Sequence, residues 1–144
     1  MNRFVIAVLA FVALQAPCFA AEGLDPAALL KPPTDTWPTY NGDYSGRRYS
    51  TLSQINQSNV HQLTGACGAQ RQSLSIKSTP LEVNGVLYFT TPDNVWAADA
   101  RTGRPIWHFH RESQGDHIGQ RGVAMYKNWL YFETPDCHLV SLNL

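Results

Sequence analysis

The sequence predicts an all-β protein built from short antiparallel strands. Ten Gly, nine Pro and 11% aromatic residues among 144 are typical of a protein with many tight turns rather than of a helical one. The stretch from Ser78 to Trp107 contains three or four short apolar runs, each closed by turn residues, which is the pattern of a strand module. A related pattern recurs near the end of the chain, so we expect two such modules.

Turn residues mark the ends of the strands in the first module. Asn84-Gly85 separates Pro80–Val83 from Val86–Thr91, and this dipeptide readily adopts the positive φ angles of a two-residue hairpin turn. Pro92-Asp93-Asn94 closes the next strand, and Arg101-Thr102-Gly103 closes the one after. The strands are therefore predicted to pair as consecutive hairpins.

The module is repeated after Gly122. The triplet Leu-Tyr-Phe occurs at 87–89 and again at 130–132, and Thr-Pro-Asp occurs at 91–93 and again at 134–136, an offset of 43 residues in both cases. A hairpin, a core triplet and a turn recur together, which chance similarity between unrelated strand pairs would rarely produce.

A period in the low forties with about four strands per unit is typical of a β-propeller blade, and propellers stack about four to eight blades because one blade cannot bury both of its faces. The sequence predicts one complete blade over 76–110 and an incomplete one, about three-quarters of a blade, over 122–144. We therefore expect part of a larger propeller. The formal charge of zero and the scattered basic residues exclude a nucleic-acid-binding surface.

The first twenty residues have the features of a signal peptide. Asn2-Arg3 gives a positive start, Phe4 to Ala16 is an apolar run, and Pro17–Ala20 supplies small residues for cleavage after Ala20. The run is short for a bilayer, and the alternative is an uncleaved anchor. We expect a periplasmic protein with no membrane span after cleavage.

Residues 21–75 are predicted to form a leader and an aromatic-rich segment that pack on the propeller. A short helix is expected from Pro26 to Leu30. The aromatic segment Trp37–Ser50 is expected to be a structured loop anchored by stacking and burial. A helical turn is expected around Gln57–His61, with Asn56 or Ser58 as its cap.

Cysteine and histidine residues give no metal-binding signature. Once Cys18 is removed by export, Cys67 and Cys137 remain; a disulfide is permitted outside the cytoplasm, and two unrelated small buried residues are equally consistent with the spacing. His108 and His110 would share one face of a strand, but a pair without a third ligand is more often simply exposed. The sequence predicts no metal site.

The segment Ala98–Gly103, followed by Trp107, resembles the tryptophan-docking repeat of the pyrroloquinoline quinone (PQQ) propellers. Trp37–Ser50, followed by Gln54–Val60 and Leu63, is similar to the N-terminal segment of the family's periplasmic alcohol dehydrogenases. The resemblance covers nearly the whole mature chain. It implies the N-terminal portion of an exported PQQ-dependent alcohol dehydrogenase, in which the Trp of one blade stacks on the turn of its neighbour and joins the two blades.

The resemblance also implies a chemistry and two cofactor-binding residues. Family members oxidise a primary alcohol with PQQ, a bound calcium polarises the quinone carbonyl, a carboxylate acts as base, and a cytochrome or quinone accepts the electrons. Gln120-Arg121-Gly122 matches the family's Asn-Arg-Gly, so Arg121 is expected to contact cofactor oxygens; the alternative is a surface arginine where a strand begins. Lys77 stands where many members have a glutamate that bonds the cofactor, and its ammonium could meet a cofactor carboxylate as a point charge.

Other features depart from the family. Gly115-Asp116 occupies the place of the vicinal cysteine pair that covers the cofactor, and the family's calcium ligands and catalytic Asp lie in later blades. No catalytic base or metal ligand is therefore assigned, and the aspartates at 93, 99 and 136 are expected to be structural turn residues. The chain alone is expected to be inactive, and PQQ and calcium are expected to bind the full-length family member rather than this chain by itself.

Two other interpretations stay open. A non-catalytic propeller of the same repeat type would act as an envelope scaffold or binding module, and Lys77 and the missing cysteine pair favour it. A truncated or decayed reading frame would have no activity of its own. The segment Trp37–Ser50 and the Gln120–Gly122 match favour the enzyme.

Overall fold

The computed structural model describes residues 23–65, 76–114 and 121–144. Within these ranges, seven strands form two antiparallel sheets, each ordered as in the sequence. The first sheet contains β1 (Leu81–Val83), β2 (Val86–Thr91), β3 (Asn94–Asp99) and β4 (Pro105–His110); the second contains β5 (Ala124–Tyr126), β6 (Trp129–Glu133) and β7 (Leu139–Asn143). One four-stranded and one three-stranded blade confirm the predicted fold class, an all-β propeller fragment.

The hairpin turns repeat in backbone conformation as they do in sequence. Asn84 and Gly85 have φ angles of 52° and 79°, as a two-residue turn with two positive φ angles requires. Lys127 takes the place of Asn84 in the second sheet, with a φ of 52°. The next turns differ, because Asp93 has the positive φ in the first sheet and Cys137 has it in the second, longer turn.

The two sheets pack through non-equivalent faces, so the face that the first sheet buries corresponds to the outer face of the second. Tyr88 of β2 is 2% exposed while both of its neighbours are half-buried, whereas in β6 Leu130 and Phe132 are 0% and 2% exposed and Tyr131 between them is half-buried. The same Leu-Tyr-Phe triplet thus buries its Tyr in the first sheet and its Leu and Phe in the second. Because side chains alternate between the faces of a strand, this is the stacking of successive propeller blades.

Aromatic rings fill the space between the sheets. Phe109 of β4 meets Phe132 edge-on, with ring centroids 5.8 Å apart. Trp107, the residue of the docking repeat, is half-buried beside Tyr88 of its own sheet at 6.0 Å. The buried apolar core consists of Leu24, Leu29, Leu81, Val83, Tyr88, Val95, Ala97, Val123, Met125, Leu130 and Phe132.

The leader connects both sheets. The Leu24 N–H donates to the Lys127 carbonyl at 2.9 Å, at the turn between β5 and β6. Trp37 exchanges two backbone hydrogen bonds with Glu82 of β1, at 2.8 and 3.0 Å. The leader therefore covers the edge of the first sheet, where unpaired backbone groups would otherwise face solvent.

The leader also contains the predicted short helix. Pro26–Leu30 is a 3₁₀ helix with a proline at its start, and the Asp25 carboxylate accepts the Ala27 N–H at 3.0 Å. Leu29 is buried in the core between the sheets. The helix is therefore held by a capping residue at one end and by burial of one side chain.

The second predicted helical turn is present, and a 3₁₀ helix follows it directly. Residues 57–59 form a turn in which the Val60 N–H donates to the Asn56 carbonyl at 2.9 Å. The Asn56 side-chain oxygen accepts the Ser58 N–H at 2.9 Å, as a capping residue does. The 3₁₀ helix Val60–Gln62 continues from this turn, and Asn59 adds no side-chain cap of its own.

The aromatic-rich segment is anchored less fully than predicted. Trp37 packs against Gly42, where an added Cβ would lie 3.0 Å from the indole ring, and the Arg48 guanidinium lies 4.7 Å from the centroid of the Tyr40 ring. Tyr44 and Tyr49, by contrast, are 69% and 66% exposed. Stacking therefore orders the start of the segment, whereas burial of its later aromatic residues is not observed.

Several predicted features fall outside the described residues, namely the signal peptide at 1–20, Cys67, Gly115-Asp116 and Gln120. Cys137 is described and is exposed. In the part of the chain that the structure describes, no helix is long and apolar enough to cross a membrane.

An ion pair joins the two sheets. Arg111, directly after β4, donates to both carboxylate oxygens of Asp136 at 2.9 Å, and Asp136 lies in the turn between β6 and β7. The Thr134 hydroxyl also donates to this carboxylate, and His138 Nδ1 lies 3.3 Å from it. The Arg111 guanidinium first, and then the Thr134 hydroxyl, hold the pKa of Asp136 well below its usual range.

We expect Asp136→Asn to lower the free energy of unfolding at pH 7 and to lower it by less near pH 2. The depressed folded-state pKa means that the carboxylate stabilises the fold above the unfolded pKa of about 3.9. This stabilisation is lost as the pH falls through the folded value. Urea unfolding followed by circular dichroism across this range measures the difference.

Glu112→Gln is the matched control, because Glu112 is an exposed carboxylate beside Arg111. It should change stability little at either pH. Equal losses for Asp136→Asn at pH 7 and pH 2 would contradict a role for the charge.

Candidate functional site

An open pocket of about 550 Å³ lies along the second sheet. Its walls are the segment 121–124, which leads into β5, the segment 131–135 of β6 and the following turn, and Leu139 of β7. Tyr40 of the leader closes one side. The pocket therefore combines side chains of the second sheet with one from a distant part of the chain.

The structure brings together the segments of the two predicted cofactor-binding residues. Arg121 lines the pocket. The next residue, Gly122, has a φ of +119°, and a Cβ there would lie 3.2 Å from the Thr79 carbonyl oxygen and 3.4 Å from the Ser78 Cβ. Lys77 directly precedes these two residues and, like Arg121, is exposed. Both cations therefore belong to adjacent chain segments at the start of the two sheets.

Ser78 holds the segment of Lys77 in place. Its hydroxyl donates to the Thr90 carbonyl at 3.0 Å and accepts the Thr90 N–H at 3.3 Å. Thr90 is in β2, which is paired on both sides. The backbone against which Gly122 packs is thus attached to the middle of the first sheet.

Tyr40 is a pocket residue that the sequence analysis did not identify. Hydrogen bonding to Arg48, above all, and then to the Thr79 side chain lowers the pKa of Tyr40, and the charge of Arg121 acts in the same direction. The phenol therefore links the leader to the segments of both sheets that begin beside the pocket. The sequence showed only an aromatic-rich loop, because the contact joins residues almost forty positions apart.

The turn aspartates are occupied by local structure. Asp99 accepts the backbone N–H of Thr102 at 2.7 Å and the hydroxyl of the same residue at 2.7 Å, and these bonds lower its pKa. Asp93 accepts the Ser113 hydroxyl, and Asp136 pairs with Arg111. These three carboxylates act in turns and in the contact between the sheets, as turn aspartates commonly do.

The pocket can bind an anion or a carbonyl-rich ligand. The Arg121 guanidinium offers fixed paired donors to carboxylate or quinone oxygens, whereas Glu133 adds a carboxylate to the pocket wall. Among the described residues, no group of three or more His, Cys, Asp or Glu side chains is placed to hold a metal ion. Recognition of negative or polar ligand oxygens therefore belongs to the Arg121 side of the pocket.

We expect Gly122→Ala to destabilise the fold by about 2–3 kcal/mol, because its φ lies in a region almost confined to glycine and its Cβ would press on the Thr79 carbonyl. Gly46→Ala is the control: Gly46 has a φ of +71° with nothing within 4 Å of an added Cβ, so only the backbone cost of about 1 kcal/mol applies. Urea midpoints of both variants measure the difference. Equal losses would show that the close approach to Thr79 carries no energy.

The chain matches a family model described as PQQ, glucose/ethanol/alcohol dehydrogenase, β-propeller domain, over residues 37–143. Quinohemoprotein alcohol dehydrogenase of Comamonas testosteroni is 34% identical, over 76% of this chain and 17% of the relative. Quinohemoprotein alcohol dehydrogenase ADH-IIG of Pseudomonas putida is 31% identical, over 99% of this chain and 22% of the relative. For 1-butanol dehydrogenase (cytochrome c) of Thauera butanivorans the identity is 31%, over 74% of this chain and 17% of the relative.

Solved structures agree with the sequence comparisons. The structure of ADH-IIG from Pseudomonas putida HK5 matches with a TM-score of 0.73 and 32% identity, over 84% of this chain and 19% of that one. That of the Comamonas testosteroni enzyme matches with a TM-score of 0.69 and 32% identity, over 82% and 18%. The chain thus spans about a fifth of the length of the relatives it matches.

Proposed function

Because the chain belongs to the PQQ-dependent dehydrogenase β-propeller family, we propose that it is the cofactor-contacting N-terminal portion of an exported PQQ-dependent alcohol dehydrogenase. One observation carries the proposal: Arg121 lines an open pocket while Gly122 packs on the backbone that follows Lys77. The contact of Gly122 with Ser78 and Thr79 joins the chain segments that follow Arg121 and Lys77, and this supports a shared role for the two residues.

The described residues fit PQQ. The pocket of about 550 Å³ is bordered by Arg121 and by the aromatic ring of Tyr40. Arg121 would donate to quinone and carboxylate oxygens, and Lys77 would offset a carboxylate charge. When bound, PQQ supplies a quinone that accepts the electrons of alcohol oxidation.

Calcium does not fit the described residues. A calcium site needs several oxygen ligands, chiefly carboxylates, and the aspartates at 93, 99 and 136 are engaged in the contacts described above. We assign calcium, the base and the substrate alcohol to a longer protein. The names of the relatives support an alcohol substrate and, for the Thauera enzyme, a cytochrome c acceptor.

A second candidate function is a non-catalytic propeller that serves as an envelope scaffold or binding module. The observation that favours it is Lys77, whose positive charge stands where the family's glutamate bonds the cofactor. Under this alternative, Arg121 is an ordinary surface residue. Its replacement would then change the affinity for PQQ no more than the replacement of another exposed arginine.

We expect PQQ to bind weakly to the chain and Arg121→Ala to weaken this binding at least tenfold, because hydrogen bonds to charged groups contribute about 1.5–3 kcal/mol. Lys77→Ala should have a smaller effect, about threefold, because a solvated point charge contributes less. Isothermal titration with PQQ measures both.

Arg101→Ala is the control for charge alone, since Arg101 is exposed in the turn after β3. It should leave binding unchanged. Equal loss in the Arg101 and Arg121 variants, or no binding at all, would favour the non-catalytic propeller.

We expect the chain alone to show no dehydrogenase turnover. Two sheets form only part of the wall around a central cofactor, so the substrate side of the site is open to solvent. Purified chain supplied with PQQ and calcium, and assayed with a dye acceptor and short primary alcohols, provides the test. Measurable alcohol-dependent dye reduction would contradict the proposal that the rest of the propeller is required.

A further inference from the structure

Two imidazoles and one carboxamide converge on the first sheet. His108 and His110 lie two residues apart on the edge strand β4, so their side chains share a face. Asn94, at the start of β3, is the register partner of His110. The Asn94 Oδ1 atom lies 2.7 Å from His108 Nε2 and 3.1 Å from His110 Nδ1. One nitrogen of each ring therefore points at the same oxygen.

The surrounding contacts orient two of these three side chains. His108 stacks on the nearly buried indole of Trp96, with ring centroids 3.6 Å apart and an angle of 11° between the planes. The Asn94 side-chain nitrogen donates to the Pro92 carbonyl at 2.5 Å, which turns Oδ1 toward the histidines. His110 is exposed and needs only a side-chain rotation to adjust. The arrangement is thus largely formed in advance.

From this convergence we propose that His108, His110 and Asn94 bind a divalent transition-metal ion, with copper(II) bound more tightly than nickel(II) or zinc(II). Imidazole nitrogen is a favoured ligand of all three ions, and copper(II) leads the usual affinity order. The ion takes the place of the two ring protons that point at Asn94, and each neutral imidazole then carries its proton on the other ring nitrogen. The carboxamide oxygen is a third, weaker ligand, and water completes the coordination.

The local charge permits a cation at this position. The nearest arginine in sequence, Arg111, is neutralised by its paired contact with Asp136. The three proposed ligands share no residue with the pocket around Arg121. The proposal is therefore independent of PQQ binding, and it concerns a nitrogen-rich site unlike the oxygen-ligand sites that calcium prefers.

Trp96 provides the measurement. Copper(II) bound to His108 would lie beside the stacked indole and quench its fluorescence, so titration with copper(II) chloride at pH 7 should give saturable quenching at one equivalent. We expect His108→Gln and His110→Gln each to weaken binding at least tenfold and Asn94→Ala to weaken it about threefold. His61→Gln is the control, because His61 is exposed in the 3₁₀ helix Val60–Gln62, and it should bind as the unaltered chain does.

His110→Gln separates binding from folding, because His110 does not carry the stack on Trp96. The circular dichroism spectrum and the urea midpoint of this variant should equal those of the unaltered chain, while its affinity for copper(II) falls. The proposal is overturned if quenching is not saturable, if the double variant His108→Gln/His110→Gln binds copper like the unaltered chain, or if His61→Gln loses as much affinity.

Discussion

The packing of the Tyr88 face of the first sheet on the Leu130 and Phe132 face of the second is the contact on which the rest of the structure depends. A small twisted sheet with two apolar faces cannot be stable in water by itself. Here one face of each sheet is covered by the opposite face of its neighbour. The contact joins two non-equivalent faces, because the tyrosine side of the first sheet packs on the leucine and phenylalanine side of the second. It does not close after two sheets, and the Tyr131 side of the second sheet is accordingly left as a pocket wall.

The leader determines where that pocket lies as much as the sheets do. Its backbone pairs with Glu82 on one sheet and with Lys127 on the other, so it runs across both. Leu29, between these two pairings, lies in the core, and Tyr40, three residues after Trp37, lines the pocket. A segment whose regular structure is one short 3₁₀ helix thus fixes the relative position of the two sheets, because backbone hydrogen bonds and one buried side chain act together.

Features set by neighbouring residues could be predicted from the sequence, whereas contacts between distant residues could not. The Asn84-Gly85 turn and the repeated Leu-Tyr-Phe triplet follow from local backbone preference and strand periodicity, and both appear in the structure as expected. The helical turn that begins after Asn56 is likewise local, because the Asn56 side chain caps it through the Ser58 N–H. Neither the Tyr40 contact with the segment at 79 nor the meeting of the histidines with Asn94 leaves a signal in the sequence, since each depends on how the strands are aligned.

The ion pair between the sheets and the pocket share one loop, and this connects stability to the site. Thr134 and Pro135 line the pocket, and the Thr134 hydroxyl also donates to Asp136. Asp136 in turn is held by Arg111 at the end of β4. The pocket wall is thus attached to the first sheet through a charge-assisted contact that depends on direction as well as distance. Displacement of one sheet relative to the other would move this wall, so the same contact that aligns the blades also sets the width of the pocket beside Arg121.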